Sequence, residues 1–188
     1  MSIILTDIDH VILVHADSFQ KWLTTEKNMD LSNSDWRNYH RFEDWLGNIE
    51  YAEQLIKEFN TSVEFENILP GYDSLEVLPR LRQKYNFIGI TACGSDPVTV
   101  ELRKRNIEKY FPVIFSDIFC VDRCQDKQPF LEKYENAIWV EDSYNNAIMG
   151  RNAGHKTFLV DHLHNRNKND YKDIIVVDNW LDIEQNIP

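Results

Sequence analysis

Ser2-Ile3-Ile4-Leu5-Thr6-Asp7-Ile8-Asp9 decides the reading of this chain. The first five residues are rich in β-branched and apolar types and too few to span a membrane. They read as a strand buried on both faces, as in a parallel sheet. The strand ends on two carboxylates set two apart, and Val11-Ile12-Leu13 then resumes the apolar run. Carboxylates there must be solvated, paired or bound to a cation, or their pKa rises. Open α/β sheets also bind ligands beyond the carboxyl ends of their strands. Taken alone, the pair reads better as one Asp starting a turn beside another capping it.

The 188 residues suit one main domain with room for a modest insertion. At 43% hydrophobic and 27% charged, the composition is that of a globular chain rather than a disordered one. A net charge of -11 argues against long nucleic acid, because no basic block exists to release counterions. A small phosphorylated substrate stays compatible if a bound metal reverses the local sign. No run approaches the length of a membrane span, so no membrane partner is expected. Nothing in the pattern speaks to oligomeric state. Three cysteines (Cys93, Cys120, Cys124) make an odd count, and the first strand follows no basic leader. A reducing cytoplasm is the expectation. Cys120 and Cys124 lack the second pair a structural metal site needs.

After the opening strand the period changes. Between about residues 17 and 60 apolar residues recur at helical spacing. Phe19, Trp22 and Leu23 form one stripe, Trp36, Tyr39, Phe42, Leu46 and Ile49 a second behind Asn33-Ser34-Asp35, and Tyr51, Leu55, Ile56 and Phe59 a third. Most of these rings are expected to be core of a small helical subdomain. Pro70-Gly71-Tyr72-Asp73 is a turn. Strands are then expected at Phe87–Thr91, Val113–Phe115, Ile138–Val140, Thr157–Val160 and Ile174–Val177, with helices between them. One helix passes through Leu75, Leu78 and Leu81. Asp96-Pro97 opens the next, which carries Val100 and Leu102. Others cover Phe130–Tyr134, Asn145–Ala153 and Trp180–Ile183. This alternation implies an α/β fold with a Rossmann-like parallel sheet flanked by helices. Residues 1–16 and 70–188 form its core, and a helical cap, 17–69, is inserted after the first strand.

Polar groups fall at comparable places in this scheme. Asp7 and Asp9 end the first strand, Thr91 ends the second, Lys127 precedes a helix, and Glu141-Asp142 follow Ile138–Val140. Thr alone begins many loops, and a lone Lys is usually solvated. The order of the set carries the signal. Asp7-Ile8-Asp9-His10-Val11 resembles the first motif of the haloacid dehalogenase-like (HAD) hydrolases, and Ile88-Gly89-Ile90-Thr91 the second. Lys127 resembles the third, and Val140-Glu141-Asp142-Ser143, with Asn146, Ala153-Gly154 and Thr157, the fourth. The helical insertion sits where that family places its C1 cap.

The resemblance implies a phosphatase. Asp7 would be the nucleophile that forms an aspartyl-phosphate, and Asp9 the acid and then the base. Thr91 and Lys127 would hold the phosphoryl oxygens, with Ala92 and His10 as further substrate contacts. Mg²⁺ is the implied cofactor. Its ligands would come from Asp7, the Asp9 carbonyl and Asp142, with Glu141 as ligand or supporting group. The family commonly has Gly where this chain has His10. The presence of Asp9 favours phosphohydrolases over the dehalogenase branch.

The expected substrate is a small phosphomonoester. The aromatic insertion (Trp22, Trp36, Tyr39, Phe42, Trp45) suits stacking on a base, and the chain resembles, more distantly, the 5'(3')-deoxyribonucleotidases. A nucleoside monophosphate is therefore the first expectation, and a sugar phosphate handled by a phosphatase or phosphomutase the second. A non-catalytic HAD-like domain that binds phosphorylated ligands or a protein is the reading from another class. Asp161-His162-Leu163-His164-Asn165-Arg166 is compatible with a segment that reaches toward the mouth of the site, but a solvated loop is the favoured reading.

Overall fold

The computed structural model describes residues 2–32, 42–123, 125–166 and 171–188. Six parallel strands form one sheet: β1 (Ser2–Thr6), β2 (Tyr85–Thr91), β3 (Phe115–Cys120), β4 (Ile138–Glu141), β5 (Lys156–Val160) and β6 (Ile174–Val177), in the order β3-β2-β1-β4-β5-β6. The direction of winding reverses at β1. Its carboxyl end, between β2 and β4, is the crevice where such sheets bind ligands.

Helices α1 (His15–Glu26), α2 (Phe42–Leu46) and α3 (Ile49–Asn60) follow β1. The stripe running from Phe42 to Ile49 is not one helix. Gly47 takes a left-handed φ of +69° and ends α2. The Asn48 side chain then accepts from the Tyr51 amide at 3.1 Å and starts α3. Asn33-Ser34-Asp35, Trp36, Tyr39 and Cys124 lie outside the described residues.

The remaining helices are α4 (Ser74–Leu81), α5 (Pro97–Tyr110), α6 (Gln128–Leu131), α7 (Tyr144–Asn152) and α8 (Trp180–Asn186). Asp96 caps α5 as expected, accepting from the Thr99 amide at 3.1 Å. α5 buries Thr99, Arg103, Asn106 and Ile107, and Leu102 packs half-buried against the core. The third strand begins where its expected range, Val113–Phe115, ends. Val113 is 82% exposed with φ of +59°, in the turn after α5. Ser116 and Asp117 hid the true strand because β3 is an edge strand and tolerates polar residues. The helix expected at Phe130–Tyr134 starts two residues and ends three residues earlier, at α6.

One hydrophobic cluster joins the insertion to the sheet. Phe19, Trp22, Phe59 and Phe65 belong to it together with Ile8, Phe87 and Trp180. On the other side, α7 lies directly on β4. A Cβ at Gly150 would sit 2.1 Å from Cδ1 of Trp139, so only glycine permits that approach. Trp139 also donates from Nε1 to the Asn146 carbonyl at 3.1 Å. The insertion is tied at both ends to one place. Leu13 and Pro70 form an antiparallel bridge, and the Gly71 amide donates to the Ile12 carbonyl at 2.8 Å. Among the described residues no helix is long and apolar enough to cross a membrane.

Candidate active site

The turn after β1 is built by its own backbone. The Asp7 amide donates to the Val140 carbonyl at 2.9 Å, which locks the end of β1 to β4. The Ile8 amide donates to Asp7 Oδ1 at 2.7 Å, and the Ile12 and Leu13 amides both donate to the Ile8 carbonyl. His10 sits in this turn with φ of +63°. That conformation favours glycine, which accounts for the Gly that HAD-type motifs commonly carry at this point.

Lys127 is 1% exposed and bridges two carboxylates: its Nζ lies 2.7 Å from Asp7 Oδ2 and 3.0 Å from Glu141 Oε2. Oxygens of Asp7, Glu141 and Asp142 all lie within 4.8 Å of one another, and all three residues are buried. Burial and the Asp142 and Asp9 charges push the Asp7 carboxyl up, against the pull of Lys127. Burial and the Asp7 charge push Glu141 up further. Burial alone would lower Lys127, but Asp7 and Glu141 outweigh it and hold the ammonium charged.

Asp7 and Glu141 thus share one cation, with Asp142 beside them. The donors are all oxygen, which suits Mg²⁺. Glu141 is already spent, since Oε1 accepts from the Asp142 and Ser143 amides while Oε2 accepts from Lys127. Asp7 accepts two such bonds, from the Ile8 amide and Lys127, and Asp142 one from His164, so these two keep more lone pairs for a metal than Glu141, though all three stand close enough to hold one.

Asp9 points elsewhere. Its carboxylate forms a two-oxygen pair with Arg103 Nη2, at 2.7 and 2.8 Å, and accepts from Thr91 Oγ1 at 3.4 Å. Arg103 is fully buried and lies over the Phe65 ring at 4.1 Å. Burial pushes the Asp9 carboxyl up. Arg103, backed by His15 and His10, overrides burial and holds it below the usual carboxylate range. Neither Arg103 nor Asn106 was singled out in the sequence. Both look like the solvent face of a helix, and only the i, i+4 and i, i+7 spacing from Thr99 through Arg103 and Asn106, with Ile107 four past Arg103, marks a common side.

The segment 161–166 is a correction. It is not a solvated loop but a single turn of 3₁₀-helix, Leu163–Asn165, folded back over the strand ends. Asn165 Nδ2 donates to both the Asp142 and Val160 carbonyls at 2.7 Å, which pins the turn. His164 Nε2 lies 3.1 Å from Asp142 Oδ2, and His162 Nε2 lies 2.8 Å from the His10 carbonyl. Burial pushes Asp142 up. The His164 hydrogen bond and the neighbouring histidines hold it well below the usual range instead.

A cavity of about 510 Å³ opens over Asp9 and Asp142, while Asp7, Thr91, Lys127 and Glu141 are not part of its wall. Its wall includes Asp9, His10, Ala92, Arg123, Asp142 and His162. Phe19, Phe42 and Tyr72 supply its aromatic surface. Of the rings named as stacking candidates only Phe42, among the described residues, reaches the cavity. Trp22 instead packs between Phe19 and Phe59.

No family model matches the chain. An uncharacterized 32.4 kDa protein of Enterobacteria phage T4 is 28% identical over 97 residues, which are 50% of this chain and 35% of that relative's length. Solved structures align along the whole chain. The HAD-hydrolase YfnB of Bacillus subtilis, bound to magnesium, superposes with a TM-score of 0.67 at 16% identity, covering 98% of this chain and 97% of that one. CbbY of Rhodobacter sphaeroides, in complex with phosphate, gives 0.61 at 16% identity over 97% and 96%. Two 2-haloacid dehalogenases also align along nearly the whole chain. The chain has the haloacid dehalogenase-like fold.

Proposed function

We propose that the chain is a Mg²⁺-dependent phosphomonoesterase acting on a small metabolite through an aspartyl-phosphate. The observation that carries this is Lys127 bridging Asp7 and Glu141 beside Asp142, at the reversal point of the sheet and next to a cavity. Asp7 is the nucleophile: its free electron pair attacks phosphorus, and hydrolysis splits into two easier steps. Lys127 and Thr91 bind the phosphoryl oxygens as charge shifts onto them. Mg²⁺, held by Asp7, Asp142 and the Asp9 carbonyl, would neutralise charge on the phosphoryl group.

Asp9 is held as a carboxylate by Arg103. It can therefore take a proton from the attacking water as it stands. To protonate a leaving oxygen it must first pick up a proton itself, unless the leaving group departs as an anion.

The helical insertion, residues 17–69, acts as the cap, and its face on the cavity selects the leaving group. A nucleoside monophosphate is the leading substrate, supported by Phe42, Phe19 and Tyr72 on the cavity wall. If Phe42 stacks on a base, Phe42→Ala costs roughly 1–3 kcal/mol of nucleotide binding and spares para-nitrophenyl phosphate. Sugar phosphates remain the second class.

The test is phosphate release from nucleotides, sugar phosphates and para-nitrophenyl phosphate, with Mg²⁺ and with chelator. Chloride release from 2-chloropropionate is measured alongside, since dehalogenases share the fold. Metal-dependent phosphate release is expected. Chloride release without phosphatase activity overturns the proposal, and inactivity toward every substrate favours a binding domain.

A further inference from the structure

Arg123 is the only lysine or arginine among the described residues of the cavity wall. Nearby cations are engaged elsewhere: Arg103 with Asp9, Lys127 with Asp7 and Glu141, and Arg166 with Asp161. Arg123 lies in the loop after β3, and its partner comes from the helical insertion. Its Nη2 lies 2.7 Å from Oε1 of Glu43, in α2. The Glu43 side chain is 1% exposed, whereas that of Arg123 is 32% exposed. The carboxylate is thus the buried half of the pair, and the guanidinium is the half a ligand can reach. Phe42, the residue before Glu43, lies on the same cavity wall as Arg123. A cation and a ring therefore face one cavity from the two sides of the Glu43 contact.

We propose that Arg123 is the specificity residue of this cavity, selecting a leaving group that is planar, uncharged and edged by a carbonyl oxygen. This role rests on the phosphatase reading of the site, in which the cavity holds the leaving group. A guanidinium is a planar fork of N–H donors, and Glu43 engages it through Nη2. Donors remain for an acceptor on the ligand. A second phosphate or a carboxylate on the leaving group would compete with Glu43 for the same charge. Drawing Arg123 away would strand a buried carboxylate without its cation, which is strongly unfavourable. A carbonyl oxygen accepts a charge-assisted bond and leaves the pair intact. Phe42 offers a face on which a flat group packs. Guanine and uracil carry such an oxygen, and adenine carries none. A site built around a hydrogen bond rejects the analogue that cannot make it far more sharply than an apolar pocket does.

Phosphate release is measured with Mg²⁺ from guanosine, uridine and adenosine 5'-monophosphates, fructose 1,6-bisphosphate and para-nitrophenyl phosphate. The parent should favour the guanosine and uridine esters over the adenosine ester and the bisphosphate by at least roughly tenfold in kcat/KM. Arg123→Lys keeps a cation for Glu43 and loses the fork. It should lower kcat/KM for the guanosine and uridine esters roughly 10- to 100-fold, chiefly through KM, and for the adenosine ester and para-nitrophenyl phosphate by less than about threefold. Glu43→Gln releases the guanidinium for a second anion. It should raise turnover of the bisphosphate relative to para-nitrophenyl phosphate by roughly tenfold.

Equal turnover of the adenosine and guanosine esters by the parent overturns the carbonyl preference, and a parent that prefers the bisphosphate overturns the charge argument. An Arg123→Lys loss of one size on every substrate makes the pair a structural tie and overturns the role. If para-nitrophenyl phosphate is hydrolysed and no nucleotide is, the role fails while the phosphatase reading stands. If no ester is hydrolysed, the phosphatase reading fails, and calorimetric binding of the three nucleotides to the parent and to Arg123→Lys decides the recognition. The same ranking, lost in the variant, upholds it there, and equal or absent binding overturns it.

Discussion

Replacing Arg103 by Met tests the least expected contact at the site. Met keeps much of the length of the side chain and its packing on Phe65, and removes the charge and every donor. In the native protein Arg103 has no exposed surface and the Asp9 side chain is 17% exposed. Removing one partner of a buried pair typically costs about 3–5 kcal/mol, because the other charge is left without compensation. A typical domain has only about 5–15 kcal/mol in total. The variant should therefore fold, with a urea midpoint clearly below that of the parent.

The pH dependence follows from the depressed Asp9 carboxyl. A carboxyl with a folded pKa below its unfolded value, about 3.9, stabilises the fold above that value and loses the contribution as pH falls through the folded pKa. The gap between parent and Arg103→Met should be widest near neutral pH and narrow below about pH 4. Adding Asp9→Asn removes the stranded charge, so the double variant should recover part of the loss, with a coupling of roughly 0.5–3 kcal/mol in the cycle. A single-variant loss under about 1 kcal/mol would refute the buried-pair reasoning. So would a gap that does not change with pH.

Further outcomes follow from the same geometry. Asp7→Asn should leave the circular dichroism spectrum intact and lower turnover by orders of magnitude, since the amide cannot form the acyl phosphate. Lys127→Ala should lower kcat by roughly 100-fold or more, and it should also destabilise the fold by leaving Asp7 and Glu141 without their shared cation. His164→Ala should raise the Mg²⁺ concentration that gives half-maximal activity by roughly tenfold, because the Asp142 carboxylate loses the partner that orients it at 3.1 Å. Burial outweighs the Asp9 charge at His15 and lowers its imidazole to about 4. The unfolded chain then binds one more proton between about pH 6.5 and 4, which removes up to about 1.4 kcal/mol per pH unit. His15→Gln should flatten that part of a stability-against-pH curve.

The parts of the fold that were legible in the sequence rest on strong local patterns. β1, β2, β4, β5 and β6 are short apolar runs between turn signals, and all five lie inside the sheet or carry a buried face. β3 was misplaced because an edge strand is allowed Ser116 and Asp117, so the period that identifies a strand is absent. Lys127 meets Asp7 and Glu141 as their order along the chain suggested.

Arg103 was not visible because a buried Arg and a solvated Arg have the same letter and the same helical spacing. Only its partner, brought from 94 positions away, tells them apart. The histidines of the 161–166 turn were hidden for a related reason. Their placement depends on Asn165 bonding the carbonyl of Asp142, a contact across 23 positions that no local pattern encodes.

The bridge between Leu13 and Pro70 has a consequence for how such a chain can change. The insertion leaves the core and returns to it at neighbouring points held by the Leu13–Pro70 bridge and the Gly71–Ile12 bond. Topologically it is a side branch, and the strand order on which Asp7, Lys127 and Asp142 depend does not pass through it. Lengthening a branch with pinned ends costs little chain entropy, about 0.6 kcal/mol for each doubling of a flexible loop. Mutational drift can therefore remodel the surface over the cavity and leave the groups at the strand ends untouched. The tolerated changes are those that keep Phe19, Phe59 and Phe65 seated in the shared cluster.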